Sequence, residues 1–410
     1  MDKFLDNTSI QSFNSAVTIT GSKSESNRLL ILQQFFPQLQ IENLSNADDT
    51  LLLQNALNSK ESVINIGHAG TAMRFLTAYF ATVKGKEVVL TGSARMQQRP
   101  IKILVDALKT IGAEIEYLNK EGYPPLKIKG KNLTKNQIKI NANVSSQYIS
   151  ALLLIAPSFK NGLSLTLLGN QTSIPYILMT LSLLNQLNIK TTWNKNVITI
   201  FPNKELENKH ITVESDWSAA SYYYSLLAMN LNSTLKLSFF KENSLQGDKA
   251  LAEIYTHFGI KTAFNEKSIH LGKIEGFQQK NHLQFNLINT PDIAQTIAVT
   301  CLGLGISCKL TGLHTLKIKE TDRLEALKTE LQKFGAKVKI TEDSLHLEPA
   351  KQLKIGTENS IKTYNDHRMA MAFAPLSLKC TFKIEHAEVV SKSYPAFWGD
   401  FNYVLKNNTI

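Results

Sequence analysis

The sequence predicts an α/β protein, α+β in arrangement, made of two similar lobes of repeated units. The chain has 410 residues, which is too long for one ordinary hydrophobic core. Four segments share one pattern: an amphipathic helix ends at Gly or Asn and is followed by a strand, a polar turn and a second strand. Two copies fall in each half, so repeated modules are favoured over a single doubly wound sheet.

The four copies end their helices at positions that supply a left-handed C-cap. Successive copies lie about 75 residues apart, and the alternation after Gly335 (Ala336, Val338 and Ile340 apolar) is typical of a half-buried strand. A helix that ends at glycine and is followed by a strand is common in proteins. The alternative is therefore that the four segments are similar by chance. The residues themselves place the lobe boundary near 212–215. The C-cap positions are Gly112, Asn188, Gly259 and Gly335.

Composition indicates an ordinary globular protein with a cationic excess. Lys and Arg total 45 and Asp and Glu 34, a net charge of +11, with 43% hydrophobic residues. The excess suits nucleic acid, a membrane surface or small anions, but the lysines are scattered rather than clustered. The three cysteines form no CxxC pair, which fits a reducing compartment. We see no signal peptide and no apolar run of membrane-spanning length, so we expect a cytoplasmic protein.

Several apolar helices begin with polar clusters, and these clusters carry the chemistry. Ser, Thr and Asp at such positions are first of all N-caps, and Asp322 with Glu325 forms a possible capping box. Caps do not explain cations at the positive end of a helix dipole, where a cation is stable only beside an anion. We therefore expect these helix starts to meet around anionic ligands in a cleft between the lobes. The cations are Lys23, Arg28, Arg74, Lys319, Arg323 and Arg368.

Six segments form specific motifs, in this order along the chain: GSKSESNR (21–28), AGTAMR (69–74), RMQQRP (95–100), VSSQYISALL (144–153), KETDR (319–323) and NDHRMAM (365–371). Together they resemble the 5-enolpyruvylshikimate-3-phosphate synthases, the enolpyruvyl transferases of the shikimate pathway. The resemblance runs from Gly21 to about Pro395.

The resemblance implies the fold in more detail. Each lobe would contain three βαβαββ-type units, with helices inside a shell of sheet. The N-terminal lobe would span 22–213 and the C-terminal lobe 1–21 with 214–410, so that the chain crosses twice. It also implies that no metal or organic cofactor is used. We further expect a monomer that binds neither nucleic acid nor membrane.

The implied reaction transfers the enolpyruvyl (carboxyvinyl) group of phosphoenolpyruvate to the 5-hydroxyl of shikimate-3-phosphate, through a tetrahedral intermediate and with release of phosphate. Lys23, Asp292 and Glu320 are the implied catalytic residues: Asp292 accepts the hydroxyl proton and Glu320 protonates C3 of phosphoenolpyruvate. The implied contacts of shikimate-3-phosphate are Lys23, Ser24, Arg28, Ser145, Ser146, Gln147, Ser173, Asp292, Thr315 and Lys319. Those of phosphoenolpyruvate are Lys23, Gly70, Thr71, Arg99, Gln147, Arg323, His367, Arg368 and Lys392. Arg95 and Tyr176 are weaker candidates.

Ordinary structural roles stand beside several of these assignments. Asp292 and Ser145 are possible N-caps, Glu320 a possible salt-bridge partner, and His367 a possible core histidine. His68, Phe75 and Thr315 depart from the family's common pattern. The sequence therefore does not decide whether the protein is sensitive to glyphosate, the inhibitor that competes with phosphoenolpyruvate in this family.

Two rival functions stay open: enolpyruvyl transfer to UDP-N-acetylglucosamine, and nucleic-acid binding driven by the +11 charge.

Overall fold

In the computed structural model, residues 1–142, 145–169, 174–203, 207–353 and 360–406 are described. The chain divides into two compact units. The N-terminal unit is Gly21–Val213, and the C-terminal unit is Met1–Thr20 with Glu214–Ile410.

The elements alternate between short strands and helices along the whole chain. The strands are β1 (Lys3–Leu5), β2 (Asn14–Val17), β3 (Leu39–Glu42), β4 (Val63–Asn65), β5 (Glu87–Thr91), β6 (Glu114–Tyr117), β7 (Leu126–Lys129), β8 (Gln137–Asn141), β9 (Leu163–Leu168), β10 (Thr191–Asn194), β11 (Val197–Ile200), β12 (Lys209–Thr212), β13 (Thr234–Ser238), β14 (Ile260–Asn265), β15 (Ser268–Lys273), β16 (His282–Asn286), β17 (Ser307–Thr311), β18 (Lys337–Ile340), β19 (Leu345–Glu348), β20 (Ser360–Ile361) and β21 (Phe382–Ile384). The α-helices are α1 (Lys23–Phe35), α2 (Asp48–Asn58), α3 (Gly70–Thr82), α4 (Lys102–Thr110), α5 (Ser146–Ile155), α6 (Ile174–Gln186), α7 (Trp217–Ala228), α8 (Leu251–Ile254), α9 (Ala294–Leu304), α10 (Arg323–Lys333), α11 (His367–Phe373) and α12 (Phe397–Lys406).

One four-stranded sheet topology occurs twice in each unit. The N-terminal unit has β4-β5-β7-β6 and β8-β9-β11-β10, and the C-terminal unit has β2-β13-β15-β14 and β16-β17-β19-β18. In every case the first pair is parallel and the next two pairs are antiparallel. Smaller sheets, β12-β3 and β1-β21-β20, complete the two units over the described residues. The predicted α/β fold of repeated units is confirmed.

Several helices are buried almost all round and form the centre of each unit. Eleven residues of α7, all seven of α11 and nine of α5 are buried, as expected for helices whose sequences are apolar on every face. The strands instead alternate between buried and exposed residues, as in β8, because one face of each sheet packs on the helices. Polar groups at the starts of such buried helices need partners other than bulk water.

The predicted helix ends are confirmed. All four C-cap positions adopt positive φ: 104° at Gly112, 59° at Asn188, 83° at Gly259 and 86° at Gly335. This left-handed conformation lets the chain reverse from each helix into the following strand.

The segments that join the units are held tightly within them. A Cβ on Gly21 would lie 1.8 Å from the Asn43 carbonyl oxygen, so only glycine fits there. Glu214 is 2% exposed and accepts hydrogen bonds from Trp217 Nε1 at 2.8 Å and Ser244 Oγ at 2.6 Å. Burial raises the pKa of the Glu214 carboxyl, although these hydrogen bonds oppose the shift.

No helix in the described part of the chain is long and apolar enough to cross a membrane. Over the same residues, no group of three or more His, Cys, Asp and Glu side chains is placed to hold a metal ion.

Candidate active site

Charged and polar side chains collect at helix starts in both units. In the N-terminal unit they come from the starts of α1, α3 and α5, together with Arg99 from the segment before α4. We call them the α1–α3–α5 cluster (Lys23, Ser24, Arg28, Gly70, Thr71, Arg99, Ser145, Ser146 and Gln147). In the C-terminal unit they come from the segments that open α9, α10 and α11, together with Lys392 from the 3₁₀ turn before α12. We call them the α9–α10–α11 cluster (Asp292, Thr315, Lys319, Glu320, Arg323, Asp366, His367, Arg368 and Lys392).

Arg28 is a buried cation surrounded by neutral oxygens. Its Nε donates to Thr180 Oγ1 at 2.8 Å, and its Nη2 donates to Ser150 Oγ at 3.0 Å and to the Tyr176 carbonyl at 3.3 Å. Only 2% of the residue is exposed, and burial lowers the pKa of the Arg28 guanidinium to about 10. Among the described residues, no carboxylate forms a salt bridge with it, although Tyr176 and the negative charge of Glu25 oppose the effect of burial on its pKa. A further anion would be stabilised beside this buried cation.

Phe75 and Lys23 border the same region. The Arg28 guanidinium lies 5.5 Å from the centre of the Phe75 ring, which gives this departure from the family's pattern a cation–π contact. Lys23 Nζ lies 3.3 Å from Asp49 Oδ2, and its side chain is 19% exposed. The Ser24 carbonyl accepts from Arg28 Nη1 at 2.7 Å.

Gly70 lies directly against Arg99. A Cβ on Gly70 would meet Arg99 Nη1 at 2.5 Å, so the absence of a side chain allows the guanidinium to rest on the first turn of α3. Within the described ranges, the buried Arg99 Nε has no hydrogen-bond partner. The positive end of α3 and an arginine therefore meet, as an anion site requires.

Gln147 connects α5 to α3. Its Nε2 donates to Thr71 Oγ1 at 3.2 Å, and its backbone N–H donates to Ser145 Oγ at 3.3 Å. Ser145 is therefore the N-cap of α5, the ordinary role that stood beside its predicted one, while Ser146 is 7% exposed. The structure thus brings together Thr71 and Gln147, which were predicted separately as site residues. Ser173 lies outside the described residues.

Arg74 donates hydrogen bonds to two backbone carbonyls beside the α3 start. Its Nη1 donates to the Gly70 carbonyl at 2.9 Å and its Nη2 to the Pro100 carbonyl at 3.3 Å. The side chain thus joins α3 to the segment that carries Arg99. Arg95 is exposed.

Arg323 is the centre of the α9–α10–α11 cluster. Its Nε donates to Asp366 Oδ2 at 2.6 Å, its Nη1 to Asp292 Oδ1 at 2.9 Å and its Nη2 to Glu320 Oε2 at 2.7 Å. The residue is 2% exposed. Burial lowers the pKa of the Arg323 guanidinium, but the three carboxylates outweigh this effect and raise it. One planar guanidinium therefore fixes three carboxylates in relation to each other.

Asp292 contacts cations rather than capping its helix. Besides Arg323, Lys319 Nζ lies 3.4 Å from its Oδ1 and Arg368 Nη2 lies 3.4 Å from its Oδ2. Burial raises the pKa of Asp292, but the charges of Lys319, Arg368 and Arg323 prevail and hold it well below its usual range. Burial lowers the pKa of Lys319, against the attraction of Asp292.

Glu320 bridges two cations, which agrees with the salt-bridge role weighed for it. Its Oε1 lies 3.0 Å from Lys392 Nζ, and its Oε2 contacts Arg323. His367 is 1% exposed and lies beside Asp366, with 3.7 Å between His367 Nδ1 and Asp366 Oδ1. Thr315 Oγ1 is buried and has no hydrogen-bond partner in the described part of the chain.

Two members of this region were not predicted: Asp366 as a site residue and Asp248 with its neighbours. Asp366 accepts from the Arg368 backbone N–H at 2.9 Å and so caps α11. Asp248 accepts hydrogen bonds from the hydroxyls of Ser218 and Thr290, and Arg368 Nη2 donates to Ser218 Oγ at 3.3 Å. Burial and the negative charge of Asp292 raise the pKa of Asp248.

Comparison with known proteins agrees with this geometry. The family model for EPSP synthase (3-phosphoshikimate 1-carboxyvinyltransferase) matches residues 33–401. A relative from Bacteroides fragilis (strain YCH46), named 3-phosphoshikimate 1-carboxyvinyltransferase, is 44% identical over 386 residues, 94% of this chain and 93% of the relative. A relative of the same name from Haemophilus influenzae (strain PittEE) is 35% identical over 434 residues, 96% of this chain and 97% of the relative.

A solved structure of EPSP synthase from Acinetobacter baumannii has a TM-score of 0.76 at 20% sequence identity and covers 98% of both chains. Units of repeated small sheets around buried helices therefore define an enolpyruvyl transferase fold. Within that class, the chain belongs to the EPSP synthase family. The predicted fold class and the predicted enzyme class, a carboxyvinyl transferase, are confirmed.

Proposed function

We propose that this enzyme adds the 5-hydroxyl of shikimate-3-phosphate to C2 of phosphoenolpyruvate and then eliminates phosphate from the tetrahedral intermediate. Membership of the EPSP synthase family supports the substrates and the group transferred. The structure contributes cations at helix starts in both units, as two phosphate-bearing carboxylic acids require.

The observation that carries the proposal is the buried Arg28 surrounded by neutral oxygens. Its guanidinium would bind the carboxylate of shikimate-3-phosphate, because a buried cation gains most from a buried anion. The other proposed contacts of this substrate are Lys23, Ser24, Ser145, Ser146, Gln147, Ser173, Asp292, Thr315 and Lys319. Thr315 supports this assignment with a buried hydroxyl that has no partner in the described residues.

Phosphoenolpyruvate would be held by cations of both clusters. Arg99 offers a guanidinium beside the first turn of α3 at Gly70, and Arg323 is fixed by three carboxylates. Forked hydrogen bonds from arginine suit a carboxylate or a phosphate. The proposed set is Lys23, Gly70, Thr71, Arg99, Gln147, Arg323, His367, Arg368 and Lys392.

Asp292 would accept the proton of the 5-hydroxyl. Its lowered pKa makes it a weak base before substrates bind, since three cations stabilise its charge. Substrate anions would compete for Lys319, Arg323 and Arg368, and the basicity of Asp292 would rise when both substrates are present. Glu320 would protonate C3 of phosphoenolpyruvate, because nearby phosphates favour the protonated form of a carboxyl group.

The test is phosphate release by purified protein given phosphoenolpyruvate and shikimate-3-phosphate without added metal, with the product identified by mass spectrometry. We expect one phosphate per enolpyruvyl ether formed. UDP-N-acetylglucosamine serves as the second acceptor, and transfer to it instead would contradict the proposal.

We further infer a cytoplasmic monomer with no nucleic-acid function. Shikimate-3-phosphate should raise the melting temperature, whereas RNA should not. Retention on RNA that weakens with salt would instead favour the rival explanation of the +11 charge.

A further inference from the structure

A fully buried carboxylate outside the active-site cluster holds the segment that leads into α11. Glu330 lies on α10 and is 0% exposed. Its Oε1 accepts from the Tyr364 hydroxyl at 2.7 Å. Its Oε2 accepts from the Lys362 backbone N–H at 3.2 Å and from Lys333 Nζ at 2.5 Å. A buried charge with this many donors fixes its neighbours rigidly.

The segment that receives these bonds has an unfavourable backbone. Tyr364 and Asn365 have φ of 53° and 54°, so two successive residues with side chains adopt the left-handed conformation. That conformation persists only where the surroundings hold it. Asp366, the next residue, caps α11 and pairs with Arg323.

Glu330 and Arg323 act on the same segment from one face of α10. They are seven residues apart, which is two helical turns, so their side chains share a face. Arg323 binds Asp366 at one end of the segment 360–366, and Glu330 binds Lys362 and Tyr364 nearer its other end. Two residues of α10 therefore hold the segment 360–366 by hydrogen bonds.

We infer that Glu330, acting with Tyr364, is a positioning residue for phosphoenolpyruvate binding. It fixes the left-handed turn at 364–365, the turn places Asp366, and Asp366 sets the orientation of Arg323 and the start of α11 with Arg368. The inference rests on the proposed function, in which Arg323 and Arg368 bind phosphoenolpyruvate. Glu330 itself touches neither substrate.

The test compares Glu330→Gln and Tyr364→Phe with Glu325→Gln, a matched change at an exposed glutamate of the same helix. Glu330→Gln places an amide among three donors and should raise KM for phosphoenolpyruvate, lowering kcat/KM by about 10- to 100-fold. Tyr364→Phe should also lower kcat/KM for phosphoenolpyruvate, by a smaller factor. Binary affinity for shikimate-3-phosphate and the kinetics of Glu325→Gln should stay near the wild-type values.

A merely structural role would give a different result. It would lower the melting temperature of Glu330→Gln while the folded enzyme, assayed well below that temperature, kept the wild-type KM for phosphoenolpyruvate. That outcome overturns the inference. Arg323→Lys distinguishes failure of the positioning role from failure of the proposed phosphoenolpyruvate site. If Arg323→Lys raises KM for phosphoenolpyruvate and Glu330→Gln does not, only the positioning role of Glu330 fails. If Arg323→Lys itself keeps the wild-type KM, the proposed phosphoenolpyruvate site fails.

Discussion

The chain contains only six arginines, against 39 lysines, and each lies in one of the motifs that opens or precedes a helix. Arg28, Arg74, Arg323 and Arg368 are buried. Lysine elsewhere serves as a solvated surface charge, whereas these sites use the fixed fork of a guanidinium. The surroundings of each buried site therefore favour arginine over lysine, although both carry the same charge.

Arg28→Ala is expected to lose on the order of 3 kcal/mol of transition-state binding, because the carboxylate of shikimate-3-phosphate would then be buried without a partner. The measurement is kcat/KM for shikimate-3-phosphate together with its binary affinity. Lys102→Ala is the control, since that lysine is about half exposed and pairs with Glu121. Unchanged kinetics for Arg28→Ala would remove Arg28 from the proposed site.

Asp292→Asn tests the charge balance of the α9–α10–α11 cluster. The pKa of Asp292 is lowered in the folded state, so its stabilising contribution is complete above the unfolded pKa of about 3.9 and is lost as pH falls towards the folded value. The variant should be less stable than the wild type near neutral pH, and this gap in the free energy of unfolding should begin to narrow as the pH falls below about 4. Urea unfolding between about pH 7 and pH 3 measures the gap; a gap independent of pH would contradict the lowered pKa.

Part of the site was predictable at the level of single residues, and part was not. Motif position sufficed to select Gly70 with Arg99 and Thr71 with Gln147, which the structure places in contact. Asp248 was missed because its local sequence resembles any helix start. Its partners Ser218 and Thr290 lie 30 and 42 residues away, and local patterns carry no information about such contacts.

At the scale of the element, the starts and the ends of the helices carry different information. Helix starts such as those of α1, α3 and α10 present N–H groups and site residues. The four repeated helices end at left-handed residues, Gly112, Asn188, Gly259 and Gly335, and turn there into strands. The ends were predictable because Gly or Asn at a single position decides them. The starts were harder, since a serine that caps a helix and one that binds a phosphate have the same sequence; Ser145 is a cap in the structure.

Gly112→Ala should lower the free energy of unfolding by about 1–2 kcal/mol, because a side chain is disfavoured at φ of 104°. A Cβ at this position would meet no atom within 4 Å, so the cost is in the backbone alone. Asn188→Gly makes the opposite change at the equivalent position, φ of 59°, and should be neutral or stabilising. Equal destabilisation by both substitutions in urea would show that left-handed strain is not the cause.

At the scale of the whole molecule, the first 20 residues belong to the core of the C-terminal unit. Phe13 and Ile19 are 2% and 1% exposed and pack in that core, and β2 pairs in parallel with β13. The repeats indicated how each sheet is ordered internally. The repeats did not indicate that β2, near the start of the chain, pairs with β13, β15 and β14 in one sheet whose other strands all follow residue 213. Pairing between strands so far apart in sequence leaves no local signal.

Phe13→Ala should destabilise the C-terminal unit by about 3–5 kcal/mol, the usual effect of removing a buried phenylalanine ring. Hydrogen exchange should accelerate in β13 and β15 and stay unchanged in β9 and β11. The matched control is Phe4→Ala, at a residue that is 62% exposed, for which we expect less than about 0.5 kcal/mol. Equal acceleration in the strands of both units would contradict the assignment of Phe13 to one core.

The pairing of β2 with β13 also orders events during synthesis on the ribosome. The Phe13 backbone N–H donates to Ser233 Oγ, 220 residues further along the chain. The N-terminal unit is one uninterrupted stretch and is complete as soon as Val213 has emerged, since domains fold as units during translation. Residues 1–20 precede that unit in the chain but have to wait for β13, so they reach their native place later than the unit translated after them.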